Sequence, residues 1–204
     1  HEICDRVAVL AYNCVEWCEI FAATAKAGLV VLPINFRLTA KEVRFIVDNA
    51  QAAAFIVQDE LVGAVEEIRK DIPIAADRFI HFGTRPCPAG YRDYEDFLAA
   101  GSSREPSQDV NLSDPWTLMY TSGTTGNPKG VVRSHRSAVI LSMVTEIELG
   151  LHRKDDALLV MPMCHANSLN FFGAFGYCGG VISLYSRKSF DHEHAVRTLA
   201  GNGS

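Results

Sequence analysis

The chain has 204 residues, 48% of them hydrophobic and 21% charged, with a formal net charge of -5; this length supports a sizeable core in one large domain or two small ones. An acidic balance without clustered Lys and Arg argues against a nucleic-acid surface or a polybasic membrane patch. The longest apolar runs, such as "ALLVMPMC" from Ala157 to Cys164, fall short of the roughly 18 to 20 residues of a membrane span. The opening "HEICDRVAVLAY" lacks the basic start, apolar stretch and small-residue cleavage site of a targeting signal, so the expected location is cytoplasmic.

From the N-terminus, "RVAVLA" reads as a buried strand. Asn13 with Glu16 three residues on predicts a capping box, and "VEWCEIFAATAKAG" a helix ending at Gly28. "LVVLPIN" is the next strand. Thr39 and Glu42 repeat the capping device before "KEVRFIVDNA", after which "AAAFIV" is a strand, "ELVGAVEEIRKDI" a helix stopped near Pro73, and "RFIHF" a strand. This alternation predicts an α/β fold, with parallel sheets carrying helices on both faces. From Gly83 to Pro115 turn residues surround one short helix, "YEDFLAAG". The expected division is a first βα subdomain over 1–83, a connecting segment over 84–115, and a second, partial βα subdomain over 116–204.

In the second half, "WTLMY" reads as a strand and "VVRS" as a short one. "HRSAVILSMVTEIEL" follows as a helix, "ALLVMPM" as a strand, "SLNFFGAFGYC" as a helix and "VISLY" as a strand. Asp191 is the N-cap candidate of a last helix. The cysteines Cys4, Cys14, Cys18, Cys87, Cys164 and Cys178 form no C-x-x-C pair, and reduced, mostly buried thiols are expected.

Between the strands "WTLMY" and "VVRS" lies "YTSGTTGNPKG", Tyr120 to Gly130. Its glycines permit a backbone in which N–H groups converge on an anion. Thr121, Ser122, Thr124 and Thr125 add hydroxyls, and Lys129 adds a positive charge. The loop leaves a buried strand, where open α/β sheets place ligands. A solvated turn would use the same residue types but far fewer of them, so phosphate binding is the stronger expectation. It is not a Walker loop: Pro128 precedes Lys129 where glycine should stand, and Gly130 follows where a hydroxyl should hold magnesium. The Rossmann spacing also fails. The glycines of "GAFGYCGG" are expected to serve close packing and helix termination.

The loop resembles the phosphate-loop signature of the adenylate-forming, AMP-binding superfamily, which includes acyl-CoA synthetases, peptide-synthetase adenylation domains and beetle luciferases. Segments on both sides, Asp5 to Val57 and Asp155 to Leu199, are similar to the family as well. "PMCHANS" and "LPINFRLT" resemble the acyl- or aryl-CoA ligase branch. The resemblance implies an acid-thiol ligase that joins a small-molecule carboxylic acid to ATP, releases pyrophosphate and passes the acyl group to coenzyme A, with Mg2+ as the phosphate partner. It implies ATP contacts at Thr121, Ser122, Gly123, Thr124, Thr125, Gly126 and Lys129, and an acyl-pocket role for His165. No protein metal ligand is expected in this chain. Phe171, Phe172 and Phe175 are expected mainly in the core, with one face open to an acyl pocket; "DHEH" reads as a capped helix start, and "SHRS" stays outside the expected site.

Family members run more than twice this length. The adenine-holding segment, the magnesium-binding glutamate, the ribose-gripping aspartate, the hinge and the mobile C-terminal domain with the main catalytic lysine have no counterpart here. The chain is therefore expected to be an N-terminal-domain fragment, inactive alone. A stand-alone phosphate-binding module and an adenylation domain of another branch remain alternatives. A homodimer is compatible with either.

Overall fold

The computed structural model describes residues 4–121, 128–187 and 189–201. In chain order the elements are β1 (Arg6–Leu10), α1 (Glu16–Ala27), β2 (Val30–Ile34), α2 (Ala40–Ala50), β3 (Ala52–Gln58), α3 (Val62–Glu66), β4 (Phe79–Phe82), β5 (Arg92–Asp93) and α4 (Tyr94–Ala99). They continue as β6 (Pro115–Thr121), β7 (Lys129–Ser134), α5 (His135–Leu149), β8 (Asp156–Leu159), α6 (Ala166–Cys178), β9 (Val181–Leu184) and α7 (His192–Gly201).

Seven strands form one sheet in the order β5-β4-β3-β1-β2-β6-β7, parallel except for β7. β8 and β9 form a separate parallel pair. The pleat sends alternate side chains of each strand to opposite faces. Ala8 and Leu10 of β1 thus join Val43, Ile46, Val47 and Val65 from α2 and α3. Val7 and Val9 face the other way, onto Trp17, Ile20 and Phe21 of α1 and Leu169 of α6. In α1 and α2 the buried residues (Trp17, Ile20, Phe21, Thr24; Val43, Ile46, Val47, Ala50) fall at i, i+3, i+4, i+7, the stripe a sheet-covering helix needs. Both faces are covered, as the α/β pattern of the sequence predicts.

The local signals are met unevenly. Thr39 and Glu42 form a full capping box, and Gly28 ends α1 in the left-handed conformation. The Asn13–Glu16 box does not form: Val15 occupies the cap position without a side-chain bond. Asn13 is instead buried and bonded to the backbone of Met161 and Met163. The helix predicted through "ELVGAVEEIRKDI" shrinks to a 3-10 turn, Asp59–Leu61, and the short α3.

Between β2 and β6 the paired register is confined to Val31↔Thr117. Pro33 follows two residues later, and without an N–H it cannot extend a ladder. The carboxyl ends of β2 and β6 then border a cavity.

Candidate functional site

This cavity, of about 300 Å³, has walls from several elements. Pro33 and Asn35 come from the end of β2, Leu38 and Ile46 from the α2 region, and Met119, Tyr120 and Thr121 from the end of β6. Pro128 and the Cys164–His165–Ala166 turn complete it. It lies at the carboxyl edge of the parallel strands, where open α/β folds bind ligands. None of these residues is a carboxylate, so among the described residues the wall offers no negative charge to repel an anion.

Thr121 ends β6 and stands opposite Lys129, the first residue of β7, in the antiparallel register. Its hydroxyl donates to the Lys129 carbonyl at 3.4 Å. The loop is therefore the connection of an antiparallel hairpin, and its root is pinned at the cavity. Lys129 is exposed and makes no ion pair with a described residue, which leaves its ammonium available to an incoming anion. Ser122, Gly123, Thr124, Thr125 and Gly126 lie outside the described residues.

His165 is the N-cap residue of α6 in extended backbone, its N–H donating to Pro162 O at 3.0 Å. It is half-buried, and its imidazole makes no hydrogen bond to a described residue. Thr121 and His165 thus meet at one cavity, forty-four positions apart in sequence. The same wall holds Cys164, whose thiol burial pushes up to about 12. At neutral pH it is a thiol, not a nucleophilic thiolate. Tyr120, whose phenol burial pushes above its ordinary range, donates to Asn49 Oδ1.

Other candidates separate from this site. Phe172 packs on Phe21, with ring centroids 5.8 Å apart. Phe171 and Phe175 line a second hollow, of about 260 Å³, with Leu151, Leu158 and Met161; it shares no lining residue with the first. His135 follows the opposite end of β7 from Lys129 and stacks on Trp116, with centroids 6.0 Å apart. Asp191 caps α7 by accepting from His194 N at 3.1 Å. Gly173 serves packing: a Cβ there would crowd Ser142 Oγ on α5. Among the cavity residues, Pro33, Asn35, Leu38 and Ile46 carry no local signal as site residues; the parallel packing of β2 beside β6, with α2 over that edge, brings them there.

Fold and cavity together define an α/β domain with an open cavity at the carboxyl edge of its sheet, where such folds bind ligands. The chain belongs to the family of AMP-binding enzymes, which it matches over residues 1–201. It is 34% identical over 170 residues to the medium-chain-fatty-acid--CoA ligase of Ectopseudomonas oleovorans, covering 80% of this chain and 31% of that protein. To the long-chain-fatty-acid--CoA ligase FadD13 of Mycobacterium tuberculosis it is 34% identical over 189 residues, covering 92% of this chain and 35% of the other. The inhibitor-bound N-terminal domain of FACL13 from M. tuberculosis superposes with a TM-score of 0.79 at 29% identity, over 98% of this chain and 48% of that one. A long-chain-fatty-acid-CoA ligase (FadD1) from Archaeoglobus fulgidus shares the fold, with a TM-score of 0.87 at 20% identity, over 98% of this chain and 38% of that one. The chain spans about a third of the length of these curated relatives. Among the described residues no helix is long and apolar enough to cross a membrane.

Proposed function

We propose that the protein carrying this chain is an AMP-forming acid–CoA ligase. A substrate carboxylate attacks the α-phosphorus of ATP, the bond to the β-phosphate breaks and pyrophosphate leaves. The thiol of coenzyme A then attacks the acyl carbon, loses its proton and expels AMP. A carboxylic acid is already ionised near neutral pH, so the first step needs no general base. Its barrier is the approach of an anion to a polyanion, and the protein's task is positioning and charge stabilisation.

In this reading Thr121, Ser122, Gly123, Thr124, Thr125, Gly126 and Lys129 hold the β- and γ-phosphates, with Lys129 offsetting charge on the leaving pyrophosphate. His165 borders the acid at the far wall. The observation that carries the reading is the meeting of Thr121 and His165 at one cavity with no carboxylate among its described lining residues. The ligase names of relatives 34% identical support it. Mg2+ ordinarily takes carboxylate oxygens together with substrate phosphates. The cavity wall offers none among the described residues, so these residues do not fit as its ligands. Which acid is activated follows from apolar walls that discriminate weakly, about 1 to 3 kcal/mol per methylene.

The test is carboxylate-dependent exchange of labelled pyrophosphate into ATP by the full-length protein, across fatty, aromatic and short acids. Exchange with one acid class, followed by CoA-dependent thioester formation, is expected. Absence of exchange with every class would reject the ligase reading and leave a phosphate-binding module.

A further inference from the structure

At the sheet edge opposite the β6–β7 hairpin, β4 and β5 run parallel with His81 beside Asp93 in register. The intervening loop, "GTRPCPAG", returns over this edge with Cys87 between Pro86 and Pro88. Proline fixes its own φ and holds the residue before it extended, so the Cys87 backbone is stiff. One ligand atom from each of His81, Cys87 and Asp93 lies within 4.8 Å of the others. His81 is 1% exposed and the other two are half-buried.

The second observation is an orphan. His81 Nε2 pairs with Asp59 Oδ1 at 2.7 Å. Asp59 Oδ2 accepts the backbone N–H groups of Thr84 at 2.6 Å and Arg85 at 2.9 Å. A carboxylate collecting that many donors is an acceptor toward the ring as well, so in the neutral ring the proton sits on Nε2 and Nδ1 carries the lone pair. That Nδ1 is buried without a hydrogen-bond partner among the described residues. A buried lone pair with no donor requires an explanation, and a cation supplies one. A carboxylate on the far nitrogen of a histidine is also the usual outer partner of a metal-bound imidazole. Gly83 makes this partner reachable: at φ 143° it lets the chain pass so close that any Cβ would overlap the Asp59 carboxyl.

We propose that His81 Nδ1, Cys87 Sγ and an Asp93 carboxylate oxygen form a zinc-type metal site, oriented by Asp59, which staples the β4–β5 loop and the two-residue strand β5 to the sheet edge. The mixed N, S, O donor set suits Zn2+ over Mg2+ or Ca2+, with water as a fourth ligand. Tetrahedral zinc with bonds of about 2.0 to 2.3 Å separates its ligands by roughly 3.3 to 3.8 Å, so the cluster closes with about 1 Å of side-chain movement. Binding forms the Zn–S bond and releases the Cys87 thiol proton to solvent, replacing the weak 3.8 Å contact from Sγ to Pro88 O. The hydrogen bonds that Asp93 accepts as the cap of α4, from Glu95 N and Asp96 N, both fall on Oδ1. The site is independent of the ATP-directed reading above.

The experiment is a Co2+ titration of the metal-free full-length protein, read by the near-ultraviolet thiolate-to-cobalt band and the visible bands of a tetrahedral site. One equivalent should bind, and Zn2+ should bleach the bands. Cys87→Ser should remove the thiolate band, whereas Cys178→Ser should keep it. Asp59→Asn should weaken Co2+ affinity by about 10- to 100-fold without abolishing the band. Should Cys87→Ser fail to fold by circular dichroism, Asp93→Asn, which retains a helix-capping side chain, should still lower the affinity. Absence of stoichiometric binding, a thiolate band surviving in Cys87→Ser, or unchanged affinity in Asp93→Asn would overturn the proposal.

Discussion

The carboxamide oxygen of Asn13 accepts a 2.7 Å hydrogen bond from the backbone N–H of Met163, 150 residues away. Its Nδ2 donates at 3.0 Å to Met161 O, which also accepts from Ser168 Oγ at 2.8 Å. One buried side chain thereby fastens the β1–α1 junction to the segment that delivers His165 to the cavity. Asn13→Ala orphans the Met163 N–H and removes a donor from Met161 O. The expected loss is about 1 to 3 kcal/mol, read as a lower urea midpoint. Asn13→Asp retains the acceptor for Met163 N–H but sets a buried carboxylate oxygen against Met161 O, so its midpoint should fall no higher than that of Asn13→Ala. An unchanged midpoint in Asn13→Ala would mean that water replaces both bonds.

Lys129 stands opposite Thr121 at the root of the loop proposed to hold the phosphates. If it offsets charge on the departing pyrophosphate, Lys129→Ala should slow pyrophosphate exchange by about 100-fold while leaving the unfolding midpoint in place, since the side chain is exposed. Lys129→Arg retains the charge and should recover part of the rate. Exchange at the wild-type rate in Lys129→Ala would remove this residue from the phosphate grip.

The elements most legible in the sequence are those whose ends are set locally. Helix α5 runs from His135 to Leu149, the span that its pattern predicts, because Ser134 accepts from Ser137 N at one end and Gly150 turns left-handed at the other. Asn13 shows the opposite case. Its spacing to Glu16 is that of a capping box, but a buried tertiary partner outcompetes the local bond, and no sequence window contains Met163. The same holds at the site. Thr121 and His165 are visible from motif and strand-end position, whereas Pro33, Asn35 and Leu38 reach the cavity only because β2 lies beside β6 in the sheet, a long-range neighbour that no local window contains.

His165 lines the cavity with an imidazole free of described hydrogen-bond partners. In the proposed reaction it borders the carboxylate, so His165→Ala should lower kcat/KM for the acid by roughly 10- to 100-fold, the worth of one hydrogen bond to a charged group. KM for ATP should change little, because in the proposed reading the phosphates are held from the Thr121–Lys129 hairpin and not from the turn that carries His165. Steady-state kinetics with each substrate varied in turn separates the two. An effect confined to ATP would place His165 on the nucleotide side instead.

His135 provides a pH signature in stability. Burial against Trp116 pushes its pKa below the ordinary histidine value, with Asp114 opposing in part. Its Nε2 is buried without a hydrogen-bond partner among the described residues. With the folded pKa depressed, the unfolded chain binds the proton more readily. The contribution of His135 is therefore fully present above the unfolded value of about 6.5 and is lost as pH falls through the folded pKa. His135→Phe retains a ring for Trp116 but cannot titrate. Its urea midpoint should match wild type at about pH 8 and fall less steeply toward about pH 5. Parallel pH profiles for the two proteins would show that the imidazole is solvated in both states.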